Sequence, residues 1–407
     1  MTLAFASAAL SAGAARADDP PPTVSLAMRD TMDAWAVPVG AYPGSDVLNK
    51  LQLSATVAGD RSGLSGWIAH AQVFRTDGTS LSARLGDIQT ADNIEADRLQ
   101  RLFEAWVQKT FGAGDRTLSL RGGLLDYNAD FDSTATASLF LNSSHGIGAD
   151  VARSGRNGPS IFPVSSLGIR ATFSPSKTWT FRLAAYDGVP GDPDHPRRFS
   201  AVRLGDGDGA LLALQIDAYL TDKSRAAIGV WRYTAPVTDP TKPSTDHADQ
   251  GVYAAIEGPL PGHDKLSAWA RVGVANRRTQ AISGYIGTGL VAQGLVTGRP
   301  DDKLGIAVAR ATLARLTLTG PYRPAETSIE TTYQVKISDT FAFQPDLQYI
   351  LNPAVGGTHR ALAAGLRFIV TAGYPRKAKA DDASDPTVPP DGPQPPDQNS
   401  APNKPGG

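Results

Sequence analysis

From Leu51 to Val370 the apolar residues recur at every second position, and this alternation constrains the fold more than any other feature of the chain. Trp179, Phe181, Leu183 and Ala185 alternate with Thr180, Arg182, Ala184 and Tyr186. Leu212, Leu214 and Ile216 alternate with Gln215 and Asp217, and Leu266, Ala268, Ala270 and Val272 face away from Ser267, Trp269 and Arg271. A period of two belongs to strands with one apolar face. About fifteen such segments of roughly ten residues can be counted, the length a tilted strand needs to cross a bilayer.

A water-soluble β-sandwich also alternates, so the polar face has to decide. That face carries Arg121, Arg182, Asp217, Arg271, Glu326, Glu330, Asp346 and Arg367 in mid-strand. Charges there need water or partners, and the lumen of a wide barrel supplies both. Aromatic residues lie near strand ends on the other face, as Phe111, Trp179, Phe341 and Tyr349 do, which fits interface girdles. Short turns at 112–115, 174–177, 221–224 and 338–339 alternate with longer connections at 188–209, 235–250 and 276–283. The expected fold class is therefore all-β: a transmembrane, antiparallel, up-and-down β-barrel in the bacterial outer membrane. At roughly 22 residues per strand and connection, residues 18–374 accommodate about sixteen strands, an even number as such barrels require. The strand missing from the visible pattern falls within 18–48 or 76–100.

Composition narrows the function. Lys plus Arg is 39 and Asp plus Glu is 40, a net charge of −1, which argues against a nucleic-acid binder. With no cysteine among 407 residues, disulfide scaffolds, thiolate-bound zinc and thiol catalysis are excluded. The six histidines lack metal-motif spacing, so no metal and no cofactor is expected. Residues 1–17 read as a secretory signal ending at Ala15-Arg16-Ala17, and the Pro-rich segment 375–407 reads as a disordered tail.

The connection 126–166 is long enough to fold inward and narrow a pore. By parity Arg121, Arg170 and Arg182 point inward from three consecutive strands, with Glu104 and Trp106 just before them. Asp217, Trp269, Arg271, Glu326, Glu330, Asp346 and Arg367 complete the expected pore lining. The plainer reading of each is a solvated lumen charge paired with its neighbours. Asp206-Gly207-Asp208-Gly209 lacks the remaining ligands of a calcium loop and reads as a turn. Ser143, Ser144, His145 and Asp150 have no nucleophile-elbow context.

Several segments together resemble the carbohydrate-selective porin family (OprB-like). They are Leu102-Phe103-Glu104-Ala105-Trp106, Leu118–Asp126, the FLNSS run at 140–144, Pro163–Gly168 and Tyr186–Pro193. Gly205–Leu212, Gly294–Arg299 and Gln344–Pro353 continue the series in order, so the resemblance covers roughly 45–370. It implies passive, sugar-preferring diffusion of small hydrophilic solutes and ions. Arginine forks and carboxylates suit vicinal hydroxyls, and aromatic rings suit the C–H faces of sugars. The expected partners are carbohydrates and outer-membrane lipid, with no nucleic acid; a monomer and a homotrimer are both compatible. A barrel-borne enzyme acting on lipid or polymer is the alternative, and it would need a clustered Ser, His and acid set.

Overall fold

The computed structural model of the chain describes residues 24–59, 63–200, 202–315 and 324–374. The signal and tail readings at 1–17 and 375–407 lie outside the described residues. Sixteen strands run β1 (Val24–Val39), β2 (Gly44–Ala58), β3 (Trp67–Asp77), β4 (Leu99–Ala113), β5 (Arg116–Leu125) and β6 (Ser166–Ser174). Next come β7 (Trp179–Asp187), β8 (Ala210–Thr221), β9 (Ser224–Thr238), β10 (Asp246–Leu260) and β11 (His263–Ala275). The last five are β12 (Ile282–Gln293), β13 (Lys303–Leu313), β14 (Ala325–Lys336), β15 (Phe341–Leu351) and β16 (Arg360–Tyr374). Each pairs antiparallel with its sequence neighbour, and β16 pairs with β1, so the sheet closes on itself.

The strand that periodicity left unplaced is β1, within 18–48, followed at once by the start of β2. Its inward positions carry Thr31, Asp33 and Trp35 and its outward ones include Asp30 and Asn49's neighbour Met32. That mixture hides the apolar stripe. Residues 76–100 add no strand beyond the ends of β3 and β4. The connection expected at 235–250 is shorter, because β9 runs on to Thr238 and β10 begins at Asp246.

Alternation is realised as burial. Outward Ile169, Leu183 and Val274 are 68%, 59% and 58% exposed, whereas inward Arg170 and Trp231 are each 2% exposed. Apolar exposure on this scale suits a hydrocarbon surround. The tightest turns, such as Gly114-Asp115 between β4 and β5, lie at the same end as the start of β1 and the end of β16, while the 78–98, 126–165 and 188–209 connections lie at the other.

The two earlier long connections turn inward. The first carries α1 (Leu81–Leu85), and its Leu81 and Leu85, with Ala91 and Ile94 further along the connection, pack on Trp35, Val37, Leu48, Ile350 and Ala361 of the wall. The second carries α2 (Tyr127–Asp130), α3 (Ser143–Gly146) and α4 (Ala149–Ala152). Tyr127, Phe131, Ile147 and Val151 pack on Tyr186, Trp231, Tyr233 and Tyr253, and Leu139 and Phe140 on Trp269 and Val291.

Single cysteines introduced at positions 212–217 of this cysteine-free chain are expected to alternate in labelling: 212, 214 and 216 with a lipid-soluble reagent, 213, 215 and 217 only with a small aqueous one. A labelling period near 3.6 would rule out the strand.

Candidate functional site

Acidic side chains of the wall grip the backbone of the inserted loops. Glu330 of β14 accepts hydrogen bonds from the amides of Leu141 (2.6 Å) and Asn142 (3.0 Å). Glu326, two inward positions away, accepts from the amides of Ile88, Gln89 and Ala354 at 2.8–3.2 Å. Both glutamates are fully buried. A carboxylate facing two or three converging amides is a charge-assisted latch, stronger than a neutral pair. Gln344 and Gln348 of β15 add donors to the carbonyls of Leu139 and Ala91, each at 2.7 Å, and Gln348 also donates to Asp346 at 3.1 Å.

Arginines of the wall grip loop carboxylates in the same way. Arg271 of β11 holds Asp132 through Nε (2.9 Å) and a terminal nitrogen (2.7 Å), and its other terminal nitrogen meets Asp150. Gly148 and Gly273 lie against this guanidinium, where a Cβ would have no room. Arg367 of β16 bonds Asp33 at 2.6–3.1 Å and reaches Asp92 (3.1 Å) and Asn93 (2.9 Å) in the first loop. Arg182 pairs with Asp217, and Arg225 bridges Asp217 (3.0 Å) to Glu257 (2.7 Å). Trp269 lies under the rings of Phe140 and His145. In this structure Trp269, Arg271, Glu326, Glu330 and Arg367 therefore meet the docked loops.

Glu104, Trp106, Arg121 and Arg170 form a separate group on β4, β5 and β6. Trp106 stands between His70 of β3, stacked at 5.0 Å, and Arg121 of β5, whose Cζ lies 3.9 Å from the indole centroid. Its Nε1 donates to Glu104 at 3.1 Å. Gln108 receives Arg121 Nε and an Arg170 terminal nitrogen, each at 2.9 Å, while Asp130 of the loop lies 3.6 and 3.4 Å from the two guanidiniums. Gly123, opposite Trp106 at φ 142°, leaves space that a side chain would fill. Lys50 of β2 sits 3.7 Å over the ring of Phe162, a second-loop residue that packs on Phe74 of β3 and Phe103 of β4.

The loops cover the lumen unevenly. Inward side chains of β8 to β15 beneath them are mostly buried, but Lys50, Gln52, His70, Gln72, Glu104 and Trp106 remain half-buried. A polar strip along β2, β3 and β4 thus stays open to water. Parity located Glu104, Trp106 and Arg121; His70 and Lys50 were missed, although both lie at inward positions of alternating segments.

Ser144 Oγ donates toward Asn142 (2.7 Å) and Gln89 (3.2 Å), away from the His145 ring, whose nitrogens have no hydrogen-bond partner. Burial drives the His145 pKa down to about 3, which keeps the imidazole neutral. Asp208 accepts from the amide of Gly205 at 2.8 Å, closing the turn expected there.

Replacing Arg271 with Leu leaves Asp132 and Asp150 buried without their cation, and breaking a buried pair costs about 3–5 kcal/mol. The expected result is an intact barrel with an undocked second loop, read as protease cleavage within 126–165 and a larger, noisier single-channel current.

Asp87 in the first loop has two buried carboxylate oxygens with no hydrogen-bond partner. Burial, then Glu326 and Glu95, pushes its pKa up to about 8. The docked loop binds this proton more tightly than an undocked one, so docking is firmest below about pH 4 and weakens as pH rises toward 8. Cleavage within 78–98 should increase across that window, and Asp87→Asn should flatten the profile.

A family model described as carbohydrate-selective porin, OprB family, matches residues 44–371. Porin B of Pseudomonas aeruginosa is 23% identical over 250 residues, covering 51% of this chain and 55% of that protein; the match thus spans about half of the curated relative. The high-pH structure of Pseudomonas putida OprB superposes with TM-score 0.73 at 18% identity, covering 86% of this chain and 94% of that one. The outer-membrane channel DcaP of Acinetobacter baumannii gives 0.55 at 10% identity over 86% and 96%. The anion-selective porin from Comamonas acidovorans gives 0.52 at 13% over 86% and 99%.

Proposed function

The chain belongs to the carbohydrate-selective porin family, OprB, and from that premise we propose that it is an outer-membrane channel through which small sugars diffuse passively along the β2–β4 strip. The observation that carries this reading is the half-buried pair His70 and Trp106 with Glu104 at its edge, flanked by the buried guanidinium of Arg121. The row offers an imidazole, an indole edge, a guanidinium fork and a carboxylate within one stretch of wall. Vicinal hydroxyls can donate to Glu104 and accept from Arg121, while the ring edges meet the C–H side of the sugar.

Arg170 supports the row through Gln108, whereas Arg182 stands apart from it and ties up Asp217. Glu326, Glu330, Trp269, Arg271 and Arg367 act on passage by holding the loops that set the bore, and Asp346 acts through Gln348, which it accepts from and which holds the carbonyl of Ala91.

Arg121→Gln removes a donor fork and a charge together. Sugar affinity should fall by about 1 kcal/mol, the scale of one charged hydrogen bond after water competes. Cation preference should rise because the local potential becomes less positive. The measurement is current block by a sugar series, with reversal potentials in a salt gradient. Unchanged block and unchanged ion preference would reduce the row to a solvated wall.

A further inference from the structure

Arginines on the inward face of the barrel are mostly neutralised by protein. Arg121, Arg170, Arg182, Arg225, Arg271 and Arg367 each lie within 3.6 Å of a carboxylate oxygen. Arg29 of β1 does not. It shares the inward face of its strand with buried Thr31 and Asp33, yet it is exposed. Its side chain makes one long hydrogen bond, from Nε to Thr31 Oγ1 at 3.4 Å, and no ion pair among the described residues. Asp33, two inward positions along β1, is held by Arg367.

Lys50 of β2 is the diagonal neighbour of Arg29, since Arg29 pairs with Gln52 and Thr31 with Lys50. Diagonal positions on one face lie about 7–8 Å apart, within reach of two long side chains. Lys50 is half-buried over the Phe162 ring and also has no ion pair among the described residues. Asp126 and Asp92 act on it from beyond ion-pair distance. Two like charges side by side repel, and where protein supplies no acid their balance comes from solution. The pair therefore draws anions to the open side of the lumen.

The surroundings narrow the kind of anion. From Lys50 the inward positions of β2 continue as Gln52, Ser54 and Thr56. Thr56 Oγ1 meets His70 Nδ1 at 2.8 Å, so a ladder of one carboxamide and two hydroxyls joins the cations to the stacked His70–Trp106 pair. A halide uses the charges alone. A carboxylate on a polyhydroxylated frame sets its two oxygens on the guanidinium fork and its hydroxyls against the neighbouring amide and hydroxyl groups.

We propose that Arg29 and Lys50 form an anion subsite on the conducting strip, and that sugar acids, which carry a carboxylate on a polyhydroxylated chain or ring, are bound there in preference to neutral sugars of the same size. The inference rests on the reading of the β2–β4 strip as the sugar path and names a further class of solute for it. The carboxylate lies between the Arg29 guanidinium and the Lys50 ammonium, with Gln52 and Ser54 on its hydroxyls.

Single-channel recordings on the full protein, at constant potassium concentration and ionic strength, compare current block by potassium galacturonate, by galactose and by potassium acetate. Wild type should be half-blocked by galacturonate at a concentration about tenfold below that for galactose, the weight of one charged hydrogen bond. Acetate should block no better than galactose. The Arg29→Gln, Lys50→Gln double variant should lose the galacturonate advantage, and Arg29→Lys, which keeps the charge without the fork, should keep part of it. Equal block by galacturonate and galactose in wild type overturns the proposal, as does an advantage that survives the double substitution. Acetate as potent as galacturonate makes the pair a general anion filter and overturns it too. If galactose fails to block while galacturonate blocks in an Arg29-dependent way, the neutral-sugar reading of the strip falls and the subsite stands. The wild-type comparison decides the matter even if the double variant fails to fold.

Discussion

Closure of the sheet between β1 and β16 is the constraint on which everything else rests. In hydrocarbon an unpaired amide or carbonyl has no solvent to turn to, so every strand must have a partner on both sides. The pairing from Leu26↔Tyr374 through Ala36↔Ala364 supplies the last ladder. Once the ring is closed, the outward face can be mostly apolar, and most of the polar chemistry of the strands is forced inside.

That inward concentration of charge creates the second problem, which the two inserted loops solve. A lumen wall bearing Glu326, Glu330, Arg271 and Arg367 would be costly if any of these were sealed off unpaired. Instead the loops bring backbone amides to the glutamates and carboxylates to the arginines. The same contacts stabilise the loops, which have only short helices and little internal core of their own. Bore and loop docking therefore share one set of residues, and a wall substitution can change conductance without touching solute.

The open strip on β2–β4 is what remains after that arrangement. His70, Glu104 and Trp106 are only half-buried there, while Phe162 and Asp130 of the second loop reach Lys50 and Arg121 at the margins, and the groups pair along the wall: His70 with Trp106, Trp106 with Arg121 and Glu104. A wall whose own side chains already stack and hydrogen-bond sideways holds its groups in orientations set in advance, which under the proposed function lowers the ordering cost of weak sugar binding.

Local pattern carried the fold class, the inward parity of the site residues and the turn positions, because in a strand the side-chain direction depends only on odd or even position. Parity therefore placed Arg121, Arg170 and Arg182 on one face without knowledge of the closed sheet, and it failed on β1, where Asp30 and Thr31 break the contrast between faces. The functions of the inward charges were not legible in the same way. Glu330 and Leu141 are 189 residues apart, and Arg367 and Asp33 are 334 apart. Nothing in either segment announces the other. Which charges latch a loop and which stay at the water's edge is settled only when the ring has closed and the loops have filled one side of it, since pairing inside a lumen is a matter of distance across the barrel and not of neighbourhood along the chain.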